Sequence, residues 1–283
     1  MTQTPKFVDT PSGRIAYAEQ GQGPVALFVH GVLVNSHIWR HQLAALSDIR
    51  RCIAVDLLGH GHTEAAAGQD VSSVAQAAML AQVLDALGVD SVDLVGNDGG
   101  AAVAQLFAVA HPGRVRSLVI TNGDVHDNWP PQAFQGFVDM CAAGGLPDTL
   151  AAMAQDKAIY RSAGALGPCY EDPSQVSDAT IDAYLQPYLA NPDRLRDLAR
   201  FVAAFDNRQT TAIEGQLRDL QIPSLVVWGD DDVYFDRKWG RWLKDTLPAA
   251  RRLVELQGAR LFFPEERPEA FNREVRLHWS EVG

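Results

Sequence analysis

The chain has few cysteines, no excess of positive charge and no long apolar run, and each absence excludes a class of protein. Its three cysteines, Cys52, Cys141 and Cys169, are odd in number and lack metal-type spacing, which argues for reduced thiols. The formal net charge of −11 argues against a nucleic acid or an anionic membrane as partner. No run of about 18 apolar residues could span a bilayer, and residues 1–6 lack the apolar region of a secretory signal. We therefore expect a cytoplasmic protein with no membrane or nucleic-acid partner.

What is present is ordinary globular material. Hydrophobic residues make up 47% of the 283 residues and charged residues 21%, which is enough for a large core. A chain of this length forms either one α/β domain with an insertion or two small domains.

Short β-branched runs alternate with helical patterns along most of the chain. Such near-continuous apolar strands are typical of a parallel sheet covered by helices on both faces. The predicted strands are residues 25–29, 52–55, 92–95, 118–120, 224–228 and 252–256. A helix is predicted over 71–87 from apolar residues at three- and four-residue spacing. Residues 7–17 resemble an antiparallel hairpin at the edge of the sheet.

The strand pattern stops between residues 120 and 224. Helical segments, punctuated by prolines, are predicted at 133–142, 148–162, 178–189 and 193–205. A helical insertion between two strands of a parallel sheet is best interpreted as a cap over the ligand site. We therefore expect a core from 1–125 and 219–283, with a helical cap at 126–218.

Residues 92–100 hold the most informative local pattern. An apolar strand leads into Gly96-Asn97-Asp98-Gly99-Gly100, and an Ala-rich helix follows at once. This strand–turn–helix context is that of a nucleophile elbow, with Asp98 at the position where a hydrolase more often has Ser. A carboxylate there would attack carbon and form an ester with the enzyme. The alternative is an ordinary Asn-Asp-Gly-Gly loop between a strand and a helix.

Other motifs follow in a recognisable order. His30-Gly31 comes after the first core strand, and Asp56-Leu57-Leu58-Gly59-His60-Gly61-His62-Thr63 comes after the second. Late in the chain stand Trp228-Gly229-Asp230-Asp231-Asp232 and then Pro264-Glu265-Glu266-Arg267-Pro268. With the elbow, this series resembles the α/β-hydrolase superfamily, and within it the haloalkane dehalogenases and epoxide hydrolases that use an Asp nucleophile.

The resemblance implies a fold and a set of roles. It implies a mostly parallel central sheet flanked by helices, with an inserted cap and no cofactor or metal. Asp98 would be the nucleophile and Asp232 the catalytic acid, while the backbone amides of Val32 and Gly99 would form the oxyanion hole. His60 and His62 flank a glycine of a tight turn and are expected to be structural.

One position departs from the family pattern. The catalytic histidine would stand about three residues before Glu-Glu-Arg-Pro, where this chain has Leu261. That histidine activates water to hydrolyse the alkyl-enzyme ester, and leucine cannot move a proton. Without a substitute base, the first step could occur and the second should stall.

Several residues are candidates for a substitute base or for substrate binding. Asp124 and His126 follow the neighbouring strand and could act as a substitute acid and base. The halide-binding Trp and Asn of dehalogenases are replaced here by Gly99 and Val32. The remaining substrate-binding candidates, including two cap tyrosines of the kind that activate epoxides, are His37, Trp39, Tyr160 and Tyr184.

Three functions therefore remain open. The first is a hydrolase that uses the Asp nucleophile on a small, mainly apolar epoxide, halide or lactone-like ester. The second is an isomerase or lyase in which Asp98 transfers a proton, since burial would raise its pKa. The third is a ligand-binding pseudoenzyme. We expect a small-molecule substrate and a monomer or homodimer.

Overall fold

A mostly parallel β-sheet forms the centre of the protein, and the computed structural model describes it within residues 4–282. Its strands are β1 (Lys6–Thr10), β2 (Gly13–Gln20), β3 (Val25–Val29), β4 (Arg51–Val55), β5 (Glu64–Ala65), β6 (Val92–Asp98), β7 (Val115–Gly123), β8 (Ser224–Gly229) and β9 (Ala250–Leu256). Their spatial order is β1-β2-β4-β3-β6-β7-β8-β9, with β5 paired to β2. The strands from β4 across to β9 run parallel, and the β1–β2 hairpin lies antiparallel at one edge. The predicted fold class is confirmed.

The helices cover the sheet and build the insertion. They are α1 (Arg40–Leu46), α2 (Ser73–Ala86), α3 (Gly99–Ala110), α4 (Gln135–Ala142), α5 (Leu146–Gln155), α6 (Lys157–Arg161), α7 (Asp178–Leu189), α8 (Pro192–Ala203), α9 (Arg208–Thr211), α10 (Glu214–Asp219), α11 (Arg237–Thr246), α12 (Phe263–Glu266) and α13 (Pro268–Val282). Every residue of β3 and β6 is buried, because both faces of these strands are covered. Apolar runs without alternation are therefore the expected sequence for them.

Helices α4 to α10 lie between β7 and β8, in the segment predicted to form the cap. The single helix expected over 148–162 is instead two, α5 and α6. Asp156 between them has an extended backbone (φ −126°, ψ 102°), and its side chain accepts a hydrogen bond from the Ala158 amide. An aspartate that bonds a nearby backbone N–H ends one helix and caps the next. The last two insertion helices, α9 and α10, contact α3 of the core.

The Asp56–Thr63 loop has a structural role. The Asp56 carboxylate accepts hydrogen bonds from the amides of Ser36 and His62, each at 2.8 Å. Gly61 has a φ of +51°, and a Cβ on it would lie 2.2 Å from that carboxylate. The Asp56–Thr63 loop therefore fixes the position of the segment after β3. This segment contains Val32.

Candidate active site

Asp98 stands at the junction of β6 and α3 in a strained conformation. Its φ of 55° and ψ of −130° lie outside the regions that L-residues favour. The turn is possible because glycines surround it. A Cβ on Gly100 would lie 2.3 Å from the Val29 carbonyl oxygen, and one on Gly123 would lie 2.3 Å from the Asp98 carbonyl oxygen. The strand–turn–helix geometry expected from the sequence is thus present.

The carboxyl group of Asp98 is held by backbone amides. The Val32 N–H donates to its Oδ2 at 2.8 Å, and the Gly99 N–H also donates to this side chain. Gly31 makes room for this contact, since a Cβ there would lie 2.0 Å from Oδ2. The two amides predicted as an oxyanion hole therefore both donate to the Asp98 carboxyl group.

The electrostatics of Asp98 are unusual for an aspartate. Burial raises its pKa to about 7, the Val32 amide lowers it, and the negative charge of Asp232 raises it further. The carboxylate is 8% exposed. A carboxyl group with this pKa can both release and accept a proton near neutral pH.

A second carboxyl group, that of Asp124, lies beside Asp98. The Asp124 backbone N–H donates to the Asp98 carbonyl oxygen at 3.2 Å, and the side chain is almost fully buried. Burial and the charge of Asp98 raise the pKa of Asp124 well above its ordinary value. The structure therefore brings this predicted candidate to the nucleophile position.

Asp232 is anchored after β8 by three hydrogen bonds. Its Oδ1 accepts from the amides of Tyr234 at 2.8 Å and Phe235 at 3.2 Å, and its Oδ2 accepts from the Asn122 side chain at 2.8 Å. Burial raises the pKa of Asp232 to about 6, although these donors lower it. The group is close enough to Asp98 for the charge of Asp232 to affect the pKa of Asp98.

Leu261 lies in the loop after β9 and is 3% exposed. Its carbonyl oxygen accepts a hydrogen bond at 3.0 Å from the side chain of Asn97, the residue before Asp98. Its side chain lines the same cavity as Asp98. The backbone therefore directs an aliphatic group into the site where the resemblance led us to expect an imidazole.

The cavity above Asp98 has a volume of about 430 Å³ and mainly apolar walls. Within residues 4–282, no Lys, Arg or His side chain lines it. Aromatic, methionine and other apolar residues from the insertion and from the loops after β3 and β9 supply most of the lining, among them Leu33, Phe134, Phe137, Met140, Met153, Phe205 and Phe262. This lining suits a small, uncharged, mainly apolar molecule.

Sequence reasoning missed three polar groups in this lining, Thr149, Cys169 and Tyr234. Cys169 and Tyr234 form a pair. The two side chains lie next to each other, and burial raises the pKa of both groups. Tyr234 stands two residues after Asp232, in a loop at the carboxyl end of a strand. Such loops meet at the ligand-binding edge of α/β sheets, and that placement could have identified Tyr234. No local pattern marks Cys169.

His126 is not brought to the cavity. Its Nε2 lies 3.1 Å from a Glu214 carboxylate oxygen and its Nδ1 lies 3.4 Å from Asp127, while its ring packs against Trp242. The backbone of His126 itself has a φ of 50°, which lies in the left-handed region. The predicted pairing of Asp124 with His126 is therefore absent from this arrangement.

The other substrate-binding candidates also lie away from the cavity lining. The Tyr184 hydroxyl donates to Glu265 at 2.7 Å, and the Tyr160 hydroxyl lies 3.3 Å from that of Tyr170. His37 packs edge-on against Tyr184, and Trp39 is fully buried. Tyr184 and His37 thus join the insertion to the core, and none of the four side chains lines the cavity beside Asp98.

His30 and His60, which belong to the motifs after β3 and β4, are fully buried and have structural roles. His30 accepts a hydrogen bond from the Leu57 amide at 3.0 Å through Nε2, so its Nδ1 donates to the Gly31 carbonyl at 2.7 Å. Burial lowers the pKa of His30 to about 4 and that of His60 to about 3. Both rings are thus neutral at physiological pH and support the loop that holds Val32.

Residues 4–282 contain no group of three or more His, Cys, Asp or Glu side chains arranged to hold a metal ion. None of the helices within them combines the length and apolarity needed to cross a membrane.

Comparisons with known proteins agree with the fold described above. Residues 24–267 match the family model described as the alpha/beta hydrolase fold. Haloalkane dehalogenase 2 from Mycobacterium tuberculosis is 29% identical, over 93% of this chain and 91% of its own. A 2-hydroxy-6-oxononadienedioate/2-hydroxy-6-oxononatrienedioate hydrolase from Burkholderia vietnamiensis is 29% identical over 84% and 81%. The solved structure of epoxide hydrolase CorEH superposes with a TM-score of 0.81 at 21% identity, covering 99% of both chains.

Proposed function

The chain belongs to the alpha/beta hydrolase fold family, and from that premise we propose that it hydrolyses a small, neutral, mainly apolar molecule through Asp98. The observation that supports this most is the hydrogen bond from the Val32 amide to Asp98 Oδ2 at 2.8 Å. It fixes one carboxylate oxygen and leaves the other to attack carbon.

The proposed reaction has two stages. In the first, Asp98 Oδ1 attacks a carbon atom of the substrate, the bond from that carbon to its leaving group breaks, and an ester with the enzyme forms. In the second, water adds to the ester carbonyl carbon of Asp98. Negative charge then develops on Oδ2, where the Val32 amide stabilises it. The intermediate collapses, the bond from the carbonyl carbon to Oδ1 breaks, and the alcohol and the Asp98 carboxyl group are released.

The cavity supports a neutral substrate. Its aromatic and aliphatic walls contain no cationic side chain within residues 4–282, whereas Asp98 and Asp124 both line it. The Burkholderia vietnamiensis relative is named for a dienedioate, which is a dicarboxylate. We infer that a dianion of that kind is excluded here, because the buried charge of Asp98 would repel it and no cationic side chain among residues 4–282 lines the cavity to compensate.

A second candidate function is proton transfer without hydrolysis, as in an isomerase or lyase. The pKa of about 7 for Asp98 favours it, because a group that titrates near neutral pH can both accept and donate a proton. The two functions differ in one observable, since only the hydrolase forms a covalent ester with Asp98.

The test is the intact mass of the denatured protein after incubation with terminal epoxyhexane, with terminal bromohexane and with an activated ester. We expect the wild type to gain the mass of the alkyl or acyl group at Asp98, and Asp98→Asn to gain none. Asp127→Asn is the matched control, because it makes the same chemical change at an exposed position outside the cavity.

The outcomes separate the candidates. Deuterium exchange into a bound ligand without any adduct would favour proton transfer. Neither adduct nor product from a folded wild type would contradict the hydrolase proposal for these substrate classes.

A further inference from the structure

The two-stage reaction proposed above gives the Asp124 carboxyl group no role. Asp124 is 2% exposed, lines the cavity with Asp98, and has a side-chain Oδ1 without a hydrogen-bond partner among the described residues. Its Oδ2 lies 3.9 Å from the point that a Cβ on Gly99 would occupy. A buried polar atom without a partner beside a nucleophile indicates a group that binds something absent from the folded chain.

The two carboxyl groups differ in their surroundings. Asp98 accepts hydrogen bonds from the Val32 and Gly99 amides, whereas only burial and the charge of Asp98 act on the pKa of Asp124, and both raise it. Adjacent carboxylates in an apolar site do not both ionise, so one proton is shared unequally. The amides favour the charge on Asp98, and the proton therefore resides on Asp124.

The other acidic group of the site cannot serve in the same way. Asp232 already accepts three hydrogen bonds, from the Tyr234 and Phe235 amides and from Asn122. His126 is occupied by Glu214 outside the cavity, and position 261 carries leucine. Within residues 4–282, Asp124 is thus the carboxyl group beside Asp98 with an oxygen free to exchange a proton.

We propose that Asp124 is the acid that protonates the leaving oxygen and then the base that activates water, and that the substrate is consequently an epoxide. This inference rests on the proposed function, because it requires Asp98 to form the ester.

The proton balance closes over one cycle. Asp98 Oδ1 attacks an epoxide carbon, the carbon–oxygen bond breaks, and the oxygen takes the proton of Asp124, which leaves a hydroxyalkyl ester and an Asp124 carboxylate. Esterification removes the charge of Asp98, so Asp124 no longer meets a negative neighbour when it becomes ionised. Asp124 then takes a proton from water as the hydroxyl adds to the ester carbonyl. When the intermediate collapses, the bond from the carbonyl carbon to Oδ1 breaks and the diol oxygen takes that proton back from Asp124. Asp98 is then a carboxylic acid that carries the second proton of the water molecule. It passes this proton to the Asp124 carboxylate, and both aspartates regain their starting states.

A haloalkane would not complete this cycle. A halide leaves with the bonding electron pair and needs no proton, so Asp124 stays protonated when the ester forms. The group that should activate water then lacks the capacity to accept a proton. The ester formed from a haloalkane should accumulate, while the ester formed from an epoxide should turn over.

The first experiment compares two substrates of equal chain length on the wild type. We expect repeated formation of diol from terminal epoxyhexane and a persistent alkyl adduct on Asp98 from terminal bromohexane. Repeated release of hexanol and bromide from bromohexane would overturn the inference. This comparison uses the unmodified protein and is independent of how any variant folds.

The second experiment replaces Asp124 by its neutral isostere. Asp124→Asn should lower the rate of diol formation by about 100-fold or more, the size of general acid–base catalysis, while Asp127→Asn should remain near the wild-type rate. Any ester that does form in Asp124→Asn should persist on Asp98. Melting temperatures establish that both variants are folded.

The results distinguish this inference from the proposed function. If Asp124→Asn is folded and forms diol at the wild-type rate, Asp124 has no proton-transfer role, although Asp98 remains the nucleophile. If the wild type forms no adduct and no product with either substrate, the nucleophile assignment itself fails.

Discussion

Hydrogen bonds to two other segments hold the backbone at position 261. The Asn97 side chain holds the Leu261 carbonyl, and the Phe262 amide donates to the Cys169 carbonyl at 2.9 Å. These backbone contacts do not depend on the identity of the side chain. Any residue at this position would therefore face the cavity that Asp98 lines.

Leu261→His should give the site a second base. An imidazole there would face the cavity near Asp98 and Asp232, and we expect the bromohexane ester on Asp98 to hydrolyse about 100-fold faster, as for other general bases. The measurement is the decay of the adduct by intact mass. Leu261→Asn is the control, because it adds polarity without basicity. An unchanged adduct lifetime in folded Leu261→His would show that the loop does not present a productive base.

At the scale of elements, one polar cluster joins the insertion to the core. Glu265 of α12 forms an ion pair with Arg40 of α1 and accepts hydrogen bonds from Tyr184 of α7 at 2.7 Å and Tyr170 at 3.0 Å. Glu265 and both tyrosines are buried. The cavity lies between the insertion and the strand ends. This cluster therefore helps to position the insertion helices that cover the cavity.

Glu265→Gln should lower the free energy of unfolding by about 2 kcal/mol, because Arg40 would lose its ion-pair partner in a partly buried site. Chemical denaturation measures the change. Glu269→Gln is the matched control, since that residue is exposed on α13. Equal losses in the two variants would mean that the cluster does not stabilise the junction.

At the scale of the whole molecule, the site lowers stability near neutral pH. The pKa of Asp98 is raised by burial from 3.8 to about 7, so the folded state binds a proton between these values that the unfolded chain releases. Stability from this group is therefore greatest at low pH and is lost as the pH rises toward 7. In the proposed mechanism, the carboxylate that attacks carbon is thus kept at the expense of stability.

Asp98→Asn should therefore be more stable than the wild type, and more so at pH 8 than at pH 4. We expect a melting temperature higher by about 3 °C or more at the higher pH, with little difference at the lower one. Asp127→Asn, at an exposed position, should show no such pH-dependent gain. An equal gain for Asp98→Asn at both pH values would indicate a packing effect instead of the removal of a buried charge.

Much of the secondary structure could be predicted from local sequence patterns. Apart from β5, which was not predicted, the strands of the sheet, the hairpin at its edge and α7 follow from apolar periodicity and helix punctuation. Both signals depend on neighbours in sequence. The division of residues 148–162 into two helices was not predicted, because the capping hydrogen bond of Asp156 outweighs a continuous helical pattern.

The sequence by itself determined the fold class, the turn that carries Asp98 and the presence of leucine at position 261, since each follows from residue types and short spacings. Only the tertiary structure decided which polar groups share the cavity. Asp124, Cys169 and Tyr234 meet Asp98 there, while His126, Tyr160 and Tyr184 pack elsewhere. Asp124, Cys169 and Tyr234 lie 26 to 136 positions after Asp98 in the chain. Such contacts depend on how helices pack over the strand ends, and no local pattern encodes that packing.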